Sequence, residues 1–529
     1  MGRALFSLGR AQFSLALAVL LLALLGSVEG LKLPPVPDTS KECLECRSVL
    51  KGLDVIFGNA TKVEDMIITV NEKCGTHKLC AKLIDGLIKI PASLFSTLEK
   101  EAWPDWGLCA FIGECKAPCC NKYSAPEQVH LSLSDSASEM RVSWVTLEGT
   151  TSNVEYGEEK HSLGKSASGV TTTYTHSGWV GVIHRVVMTG LEPGKTYFYR
   201  VGDGSKFSET FSFKTLPATG VKSTTFAVLA DMSYDEFSDN TVKLLTQLVD
   251  EGKIDAVIHS GDISYEDGFA PHFDAFMNKI QPIASRVPYM VTPGNHEALP
   301  FNFAPYRARF FMPGDADSMY YSWQAGGVKF VALSTETPID TANISKDNVE
   351  FAEKTLAAVD RTQTPWVVAH FHRPLYCTGR SSCEKVRALS LSHPSFVFHR
   401  ADTSLSPSPF LSLSPKDASK MRGEIEDVFY KNKVDFTFCG HEHAYQRMNP
   451  VYKSVVTPGA PVYFMQGAAG NREGQVGPFP ADQPAWVANS KNEFGLGIFK
   501  VAADLKSVDW QYLEAATGAV LDQATYTHA

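Results

Sequence analysis

The residue pattern from 221 to 529 constrains the fold most, because short apolar segments alternate there with segments of helical periodicity. Such alternation predicts a sheet covered by helices on both faces, the α/β class. In one instance, segment 254–260 reads as a buried strand that runs into Gly261, Asp262 and, three residues later, Tyr265. Open α/β sheets bind ligands at the carboxyl ends of their strands, so Asp262 is a candidate site residue.

Four further predicted strands also end in residues that carry oxygen or nitrogen donors. They are, in chain order, Asp231 after 225–230, Asn295 and His296 after 287–291, His370 and His372 after 366–369, and His441 and His443 after 434–438. One such residue alone is ordinarily a turn or a satisfied core histidine, but five strand ends in succession predict a common site. Oxygen and imidazole donors without thiolates suit hard or borderline divalent and trivalent metals. About seven or eight ligands, one of them a shared carboxylate, predict two metals that activate water for attack at phosphorus.

The order of these motifs resembles the calcineurin-like metallophosphoesterases, and Tyr265, three residues after Asp262, narrows the resemblance to the purple acid phosphatases. The resemblance covers most of residues 125–529. It implies an acid phosphatase that hydrolyses phosphomonoesters by attack of a metal-bound hydroxide. The implied cofactors are Fe(III) and a second divalent metal, namely Zn, Fe or Mn. Carried over by position, the ligands are Asp231, Tyr265 and His443 for iron, Asn295, His372 and His441 for the divalent metal, and Asp262 as the bridge.

The leaving-group acid is less defined by the resemblance. His296 is the leading candidate for a hydrogen bond to the phosphate or the leaving group, and His370 is the alternative. Histidines that plant members place after the fourth motif are absent, and a loop from Cys377 to Cys383 stands there instead, predicted to be closed by a disulfide. Ser233 also replaces the glycine that is usual in the family, with no effect expected on the ligand Asp231.

Residues 1–30 read as a cleaved signal peptide, with a basic start followed by an apolar run too short to cross a bilayer comfortably. A signal peptide predicts a secreted protein, or one delivered to a lysosome or vacuole. Two glycosylation sequons, at Asn59 and Asn343, fit that route. The formal net charge of -9 argues against a nucleic-acid partner.

Residues 40–120 contain eight of the eleven cysteines, and in a secretory chain such density predicts disulfides. The apolar residues between them have helical spacing, and spacing alone leaves fifteen pairings open for six cysteines. The pattern resembles saposin-like domains, which implies the pairs Cys43–Cys115, Cys46–Cys109 and Cys74–Cys80. Contact with lipid or a membrane surface, or service as a folded spacer, are the two roles expected for this module. Partners for Cys119 and Cys120 are left open, since adjacent cysteines rarely pair without strain.

Residues 124–218 change to alternating periodicity, which predicts an all-β domain. The segment 191–201 resembles the tyrosine-corner strand of fibronectin type III domains, with Trp144 expected in the core. The catalytic domain is predicted over 222–529. Within it, residues 389–418 are rich in Ser, Leu and Pro, and we predict a poorly ordered insertion there. Cys439 is interpreted as a buried free thiol.

Two other functions stay open at this point. One is a sphingomyelinase-like phosphodiesterase, a group that also joins a saposin-like module to a metallophosphoesterase but is not expected to have Tyr265 or a fibronectin-like domain. The other is a lipid-binding protein whose phosphoesterase domain is only structural, against which the full ligand set argues. The natural substrate and the oligomeric state are not determined by the sequence.

Overall fold

The structure is a computed structural model that describes residues 40, 43–44, 115–120, 125–298, 301–337, 342–378 and 415–528. Nearly all of these residues belong to one compact unit formed by Lys116–Cys383 and Leu413–Ala529. Ser40, Cys43, Leu44 and Cys115 belong to a second unit, in which a disulfide joins Cys43 to Cys115. That bond is the pair implied by the saposin resemblance. The other residues predicted in that module, including Cys46, Cys74, Cys80, Cys109 and Asn59, lie outside the described residues.

The first half of the larger unit is a β-sandwich, as its alternating apolar pattern predicts. Its strands are β1 Ala117–Pro118, β2 Glu127–Leu133, β3 Met140–Thr146, β4 Asn153–Gly157, β5 Lys165–Ser168, β6 Val170–Thr172, β7 Trp179–Val180, β8 Val182–Met188, β9 Thr196–Gly202 and β10 Phe211–Lys214. One sheet has the order β2-β3-β8-β6 and the other β10-β9-β4-β5. Trp144 is fully buried between them, and the Tyr197 hydroxyl accepts a hydrogen bond from the Glu192 amide at 3.0 Å. This contact is the tyrosine corner that the segment predicted.

The second half is an α/β domain. Its strands are β11 Thr224–Leu229, β12 Met232–Ser233, β13 Ala256–Ser260, β14 Ile263–Ser264, β15 Tyr289–Thr292, β16 Tyr321–Ala325, β17 Val328–Ala332, β18 Trp366–His370, β19 Phe436–Cys439, β20 Tyr445–Met448, β21 Val451–Tyr452, β22 Val455–Val456, β23 Val462–Gln466, β24 Val487–Lys491, β25 Gly495–Val501, β26 Ser507–Glu514 and β27 Val520–Thr527. Its helices are α1 Asp239–Asp250, α2 Ala270–Ala284, α3 Asn295–Ala298, α4 Ala304–Arg309, α5 Lys346–Ala357 and α6 Pro415–Lys431. No helix among the described residues is long and apolar enough to cross a membrane.

Two sheets of this domain pack against each other. Their orders are β15-β13-β11-β25-β26-β27 and β16-β17-β18-β19-β23-β20-β24. Aromatic rings fill the space between them, as in the contacts of Phe226 with Phe330 at 5.1 Å and of Phe438 with Phe499 at 5.3 Å between centroids. Strands β13 and β18 are buried along their whole length, which explains why their sequences are apolar runs without alternation.

One expectation from the sequence requires correction, and one question that the sequence left open is answered. Helix α6 begins at Pro415, so the insertion predicted over 389–418 does not extend to 418, and residues 389–414 lie outside the described residues. Ala418 faces the core and is fully buried, which accounts for this earlier helix start. Cys119 and Cys120 form a disulfide with each other. Cys119 is buried against Trp179 and Gly181, where the missing side chain of the glycine leaves room for its sulfur.

Candidate metal centre

The polar residues predicted at the strand ends meet at one edge of the two sheets. Strands β11, β13 and β15 run parallel to one another in the first sheet, and β18 runs parallel to β19 in the second. Their carboxyl ends therefore point to the same side, and the loops that follow carry Asp231, Asp262, Asn295, His372 and the pair His441 and His443. The sheet order thus converts a pattern spread over more than two hundred residues into one cluster.

The glycines of these motifs are required by close contacts. A Cβ atom at Gly294 would lie 2.1 Å from the Asp262 Oδ1 atom, and one at Gly440 would lie 2.2 Å from the Asp231 Oδ2 atom. Larger residues at these two positions would displace the carboxylates that they contact.

Several of the donor residues themselves have left-handed backbone conformations. The φ angles are 61° at Asp231, 51° at Asp262, 55° at Tyr265 and 71° at His441. Such angles cost about 1–3 kcal/mol each for non-glycine residues and occur preferentially at functional sites. The local backbone is therefore strained where the donor atoms converge.

Three donor atoms form the first group of the site. The Tyr265 hydroxyl lies 2.9 Å from His443 Nε2 and 3.2 Å from Asp231 Oδ1, and those two atoms are 3.4 Å apart. The other ring nitrogen of His443 lies 2.9 Å from the Gly474 carbonyl oxygen, which orients the imidazole. Asp231 and Tyr265 are fully buried.

A second group of three donor atoms lies beside the first. Asn295 Oδ1 is 3.0 Å from His372 Nε2 and 2.9 Å from His441 Nδ1, and these two nitrogen atoms are 3.2 Å apart. His372 Nδ1 lies 3.0 Å from the Ser260 carbonyl oxygen, so that contact leaves Nε2 directed at the group. Asp262 Oδ2 lies 3.1 Å from His372 Nε2.

These groups fit metal ions in both spacing and charge. Ligand atoms bound to one ion at about 2.0–2.2 Å lie about 3 Å apart, which is the separation within each group. Burial lowers the pKa of His372, but Asp262 and Asp231 outweigh it and raise the pKa to about 9. Burial likewise lowers the pKa of His443, and Asp231 and Glu473 raise it to about 9. The carboxylates thus favour a positive charge on the two buried imidazoles. Metal ions that replace the imidazole protons supply the same positive charge.

The phenol of Tyr265 leads to the same conclusion. Burial, with the carboxylates of Asp231 and Asp262, raises its pKa well above the usual value of a tyrosine. A phenolate at this position therefore requires a cation beside it.

His296 lies next to the cluster and is held by carboxylates. Its Nδ1 is 2.5 Å from Asp267 Oδ1, and its Nε2 is 3.8 Å from both Asp262 Oδ2 and Glu473 Oε1. Burial lowers the pKa of His296, whereas Asp267, Asp262 and Glu473 raise it well above the usual histidine value. Burial raises the pKa of Asp267, but His296 and Arg472, which binds the second carboxylate oxygen at 2.5 Å, outweigh it and lower the pKa below the usual value. His296 is thus placed to donate a proton toward the cluster.

His370 is placed differently. Its ring is fully buried near Tyr321 and Trp323, with centroid distances of 6.1 and 6.4 Å. Neither ring nitrogen has a hydrogen-bond partner among the described residues, and burial lowers the pKa to about 3. The geometry therefore favours His296 over His370 as the group that meets a substrate.

Glu297 connects two of the loops that carry donor residues. Its carboxylate accepts hydrogen bonds from the amides of Gly294 at 2.7 Å, Asp262 at 3.1 Å and Ile263 at 2.8 Å. The side chain is 2% exposed. This one carboxylate fixes the Asp262 loop against the loop of Asn295.

Asp267, Glu297, Arg472 and Glu473 were not predicted as site residues. Asp267 and Glu297 each lie within two residues of a predicted ligand, and this closeness in sequence could have identified them as site residues. Arg472 and Glu473 lie beyond β23, in a segment for which the sequence predicted no site residue.

The remaining predicted residues are placed as follows. Cys377 is disulfide-bonded, and its predicted partner Cys383 lies outside the described residues. The Asn343 side-chain amide donates to the Thr337 carbonyl oxygen at 2.6 Å. Glycosylation of Asn343 stays a prediction. The interpretation of Cys439 as a buried free thiol is confirmed.

Three family matches cover most of the larger unit. Residues 126–215 match the purple acid phosphatase N-terminal domain, residues 224–445 the calcineurin-like phosphoesterases, and residues 460–523 the C-terminal region of iron/zinc purple acid phosphatase-like proteins.

Similar proteins are found in animals and plants. Acid phosphatase type 7 of Danio rerio is 31% identical over 424 residues, which span 76% of this chain and 90% of the relative. The human protein of the same name is 32% identical, over 70% of this chain and 84% of its own. Purple acid phosphatase 21 of Arabidopsis thaliana is 32% identical, over 73% and 81%. The solved structure of purple acid phosphatase PPD1 from yellow lupin shares the fold, with a TM-score of 0.62, 23% identity and coverage of 76% of this chain and 74% of that one.

Proposed function

Because this chain belongs to the purple acid phosphatase family, as its relatives and domain matches show, we propose that it is a secreted acid phosphatase that hydrolyses phosphomonoesters at an Fe(III)–M(II) centre. Phosphoester hydrolysis at a dinuclear metal centre follows from the family. The iron, the second metal (Zn, Fe or Mn), the monoester preference, and secretion or delivery to a lysosome or vacuole are the proposed parts.

The position of the Tyr265 phenol carries this proposal. The phenolic oxygen lies within 3.2 Å of both an Asp231 carboxylate oxygen and an imidazole nitrogen of His443. Phenolate, carboxylate and imidazole form a hard donor set that suits a trivalent ion. Asn295, His372 and His441 would hold the divalent metal, and Asp262 would bridge the two.

The chain's own residues account for the rest of the reaction. Metals held by these two groups of residues would supply an acidified water as the nucleophile and positive charge to neutralise the phosphate. Asp267 holds Nδ1 of His296 and thereby directs Nε2 toward the cluster. From there the imidazolium can donate a hydrogen bond to a phosphate oxygen or a proton to the departing alkoxide. Burial of the donor atoms strengthens these interactions by excluding water.

The identity of the metal at Tyr265 is tested by metal analysis and visible absorption of the purified protein. We expect iron together with an absorption band that gives a purple to violet colour, and loss or a large shift of that band in Tyr265→Phe. Tyr289→Phe is the matched control, because Tyr289 is equally buried and binds His259, outside the cluster. Active protein that is colourless and free of iron would overturn the assignment.

The substrate class is tested on the same protein preparation. Turnover of a small aryl phosphate far above that of a choline phosphodiester lipid would support a monoesterase. The reverse preference would favour the sphingomyelinase-like alternative, and turnover of neither by metal-replete protein would favour a structural phosphoesterase domain. Secretion is checked by expression in an animal cell line, with the protein assayed in medium and in cell fractions. Contact of the saposin-like module with lipid stays a prediction.

A further inference from the structure

The loop 174–179 of the β-sandwich is fixed to the catalytic domain at both ends. At one end, the Tyr174 hydroxyl accepts hydrogen bonds from Arg309 Nη2 at 2.6 Å and Nε at 3.1 Å. At the other end, Trp179 Nε1 donates to Asp274 Oδ2 at 3.0 Å. The rings of Tyr174 and Trp179 stack on each other with centroids 4.2 Å apart. The loop therefore has a defined position on the catalytic domain.

The tip of this loop reaches residues that adjoin the metal centre. The buried hydroxyl of Ser177 donates to the carbonyl oxygen of Gly268, the residue after Asp267. His176 stacks on Phe301, with centroids 4.5 Å apart and 14° between the ring planes. Phe301 follows His296 by five residues in the chain. One contact thus falls beside the carboxylate that orients His296, and the other lies just beyond the helix that begins at Asn295.

Both sides of the contact have strained backbone conformations. The φ angles are 55° at Ser177 in the sandwich loop, and 51° at Asn302 and 62° at Phe303 in the catalytic domain. Conformations of this kind persist where surrounding contacts impose them, and they concentrate at ligand sites. Next to these residues in the chain, two aromatic rings lie at the surface, since His176 is exposed and Phe301 is half-buried. A stacked pair of aromatic rings at the surface, beside strained backbone, is not explained by core packing.

We propose that the loop 174–179 forms one wall of the substrate site, and that the stacked rings of His176 and Phe301 bind the leaving group of phosphomonoesters whose leaving group is a planar aromatic ring. This inference rests on the proposed phosphatase function and adds to it a substrate class. A planar leaving group gains stacking energy on an exposed ring face, whereas an alkyl group of similar charge does not. Because the loop is anchored at both ends, little conformational entropy is lost on binding. The β-sandwich then determines specificity in addition to supporting the fold.

Binding is measured apart from leaving-group chemistry by inhibition with phenylphosphonate and methylphosphonate. In the wild type we expect phenylphosphonate to bind more tightly. In His176→Ala and in Phe301→Ala the ratio of the two inhibition constants should move toward one, by about two- to tenfold, the range given by aromatic pairs. The double variant should lose less than the product of the single effects, because each ring depends on the other. The ratio of kcat/KM for phenyl phosphate and glycerol phosphate should fall by a similar factor.

His161→Ala is the matched control, since His161 is an exposed histidine of the same sandwich that lies outside the loop 174–179. It should leave both ratios at the wild-type values. Unchanged ratios in His176→Ala and Phe301→Ala, in protein that hydrolyses both phosphomonoesters, would overturn this inference while leaving the phosphatase function intact. Failure of the wild type to hydrolyse either ester would instead remove the function on which the inference rests.

Discussion

Removal of the Glu297 carboxylate should damage both the fold and the metal centre. In Glu297→Ala, the amides of Gly294, Asp262 and Ile263 lose their acceptor in a buried environment. An unsatisfied buried donor costs about 1–3 kcal/mol, so the three together amount to about 3–9 kcal/mol. Water that enters the vacated space would bring the cost toward the lower end of this range, about 3 kcal/mol.

The conservative variant separates the loss of the acceptors from the loss of packing. Glu297→Gln keeps one oxygen, which can take the position that now accepts from Gly294 and Asp262. The amide group then faces the N–H of Ile263, so a single donor is left unsatisfied, at a cost of about 1–3 kcal/mol. We therefore expect the order wild type, Gln, Ala in the denaturant midpoint. Metal content should follow the same order, since the affected loops carry Asp262 and Asn295.

Chemical denaturation followed by tryptophan fluorescence gives the midpoints, and elemental analysis gives metal per chain. Glu353→Ala serves as the control, because that side chain is 52% exposed and pairs with Lys431 at 3.3 Å. Such surface pairs contribute about 0–1 kcal/mol. A wild-type midpoint and full metal content in Glu297→Ala would refute the role of Glu297 in fixing the Asp262 loop against the loop of Asn295.

Three further predictions address the catalytic histidine, the dependence of stability on pH and the domain interface. His296→Asn should lower kcat about 100- to 10,000-fold, whereas His370→Phe should keep most activity because its ring lies among aromatic side chains; equal losses in steady-state kinetics would contradict this assignment. Burial lowers the pKa of His184 to about 4 from 6.5, so the unfolded chain binds more protons between these values and stability is lost as pH falls through them. The loss is up to about 3 kcal/mol, and unfolding curves of His184→Phe should show a flatter pH profile in this window, whereas an unchanged slope would contradict the prediction. Arg309→Met leaves Asp274 buried without its cation. The free energy of unfolding from denaturation curves should fall by about 3–5 kcal/mol, and a fall below about 1 kcal/mol would contradict this prediction.

The prediction of the fold from the sequence was closest where local pattern governs structure. Strand β18 was expected over 366–369 and spans Trp366–His370, and the strand expected over 254–260 is β13, which spans Ala256–Ser260. Buried strands and amphipathic helices leave such patterns because each depends on which neighbours are apolar. The comparisons also confirmed the family, which the order of motifs had indicated.

The sequence by itself determined which residues were candidates for the metal centre, because each lies next to a strand end and a short motif identifies it. Their grouping was implied only by the family resemblance, and its physical basis lies in the tertiary structure, where Tyr265 and His443 meet at 2.9 Å across 178 residues. His370 and His372 also show the difference between what the sequence indicates and what the tertiary structure determines. Strand alternation would place both on one face, but β18 ends at His370 and the chain then bends. His370 therefore packs in the aromatic core, while His372 turns into the site. The contact of Ser177 with Gly268, 91 residues apart, is likewise a contact between residues distant in the sequence. Spatial neighbours of this kind arise from sheet order and domain packing, which act over distances that no local pattern records.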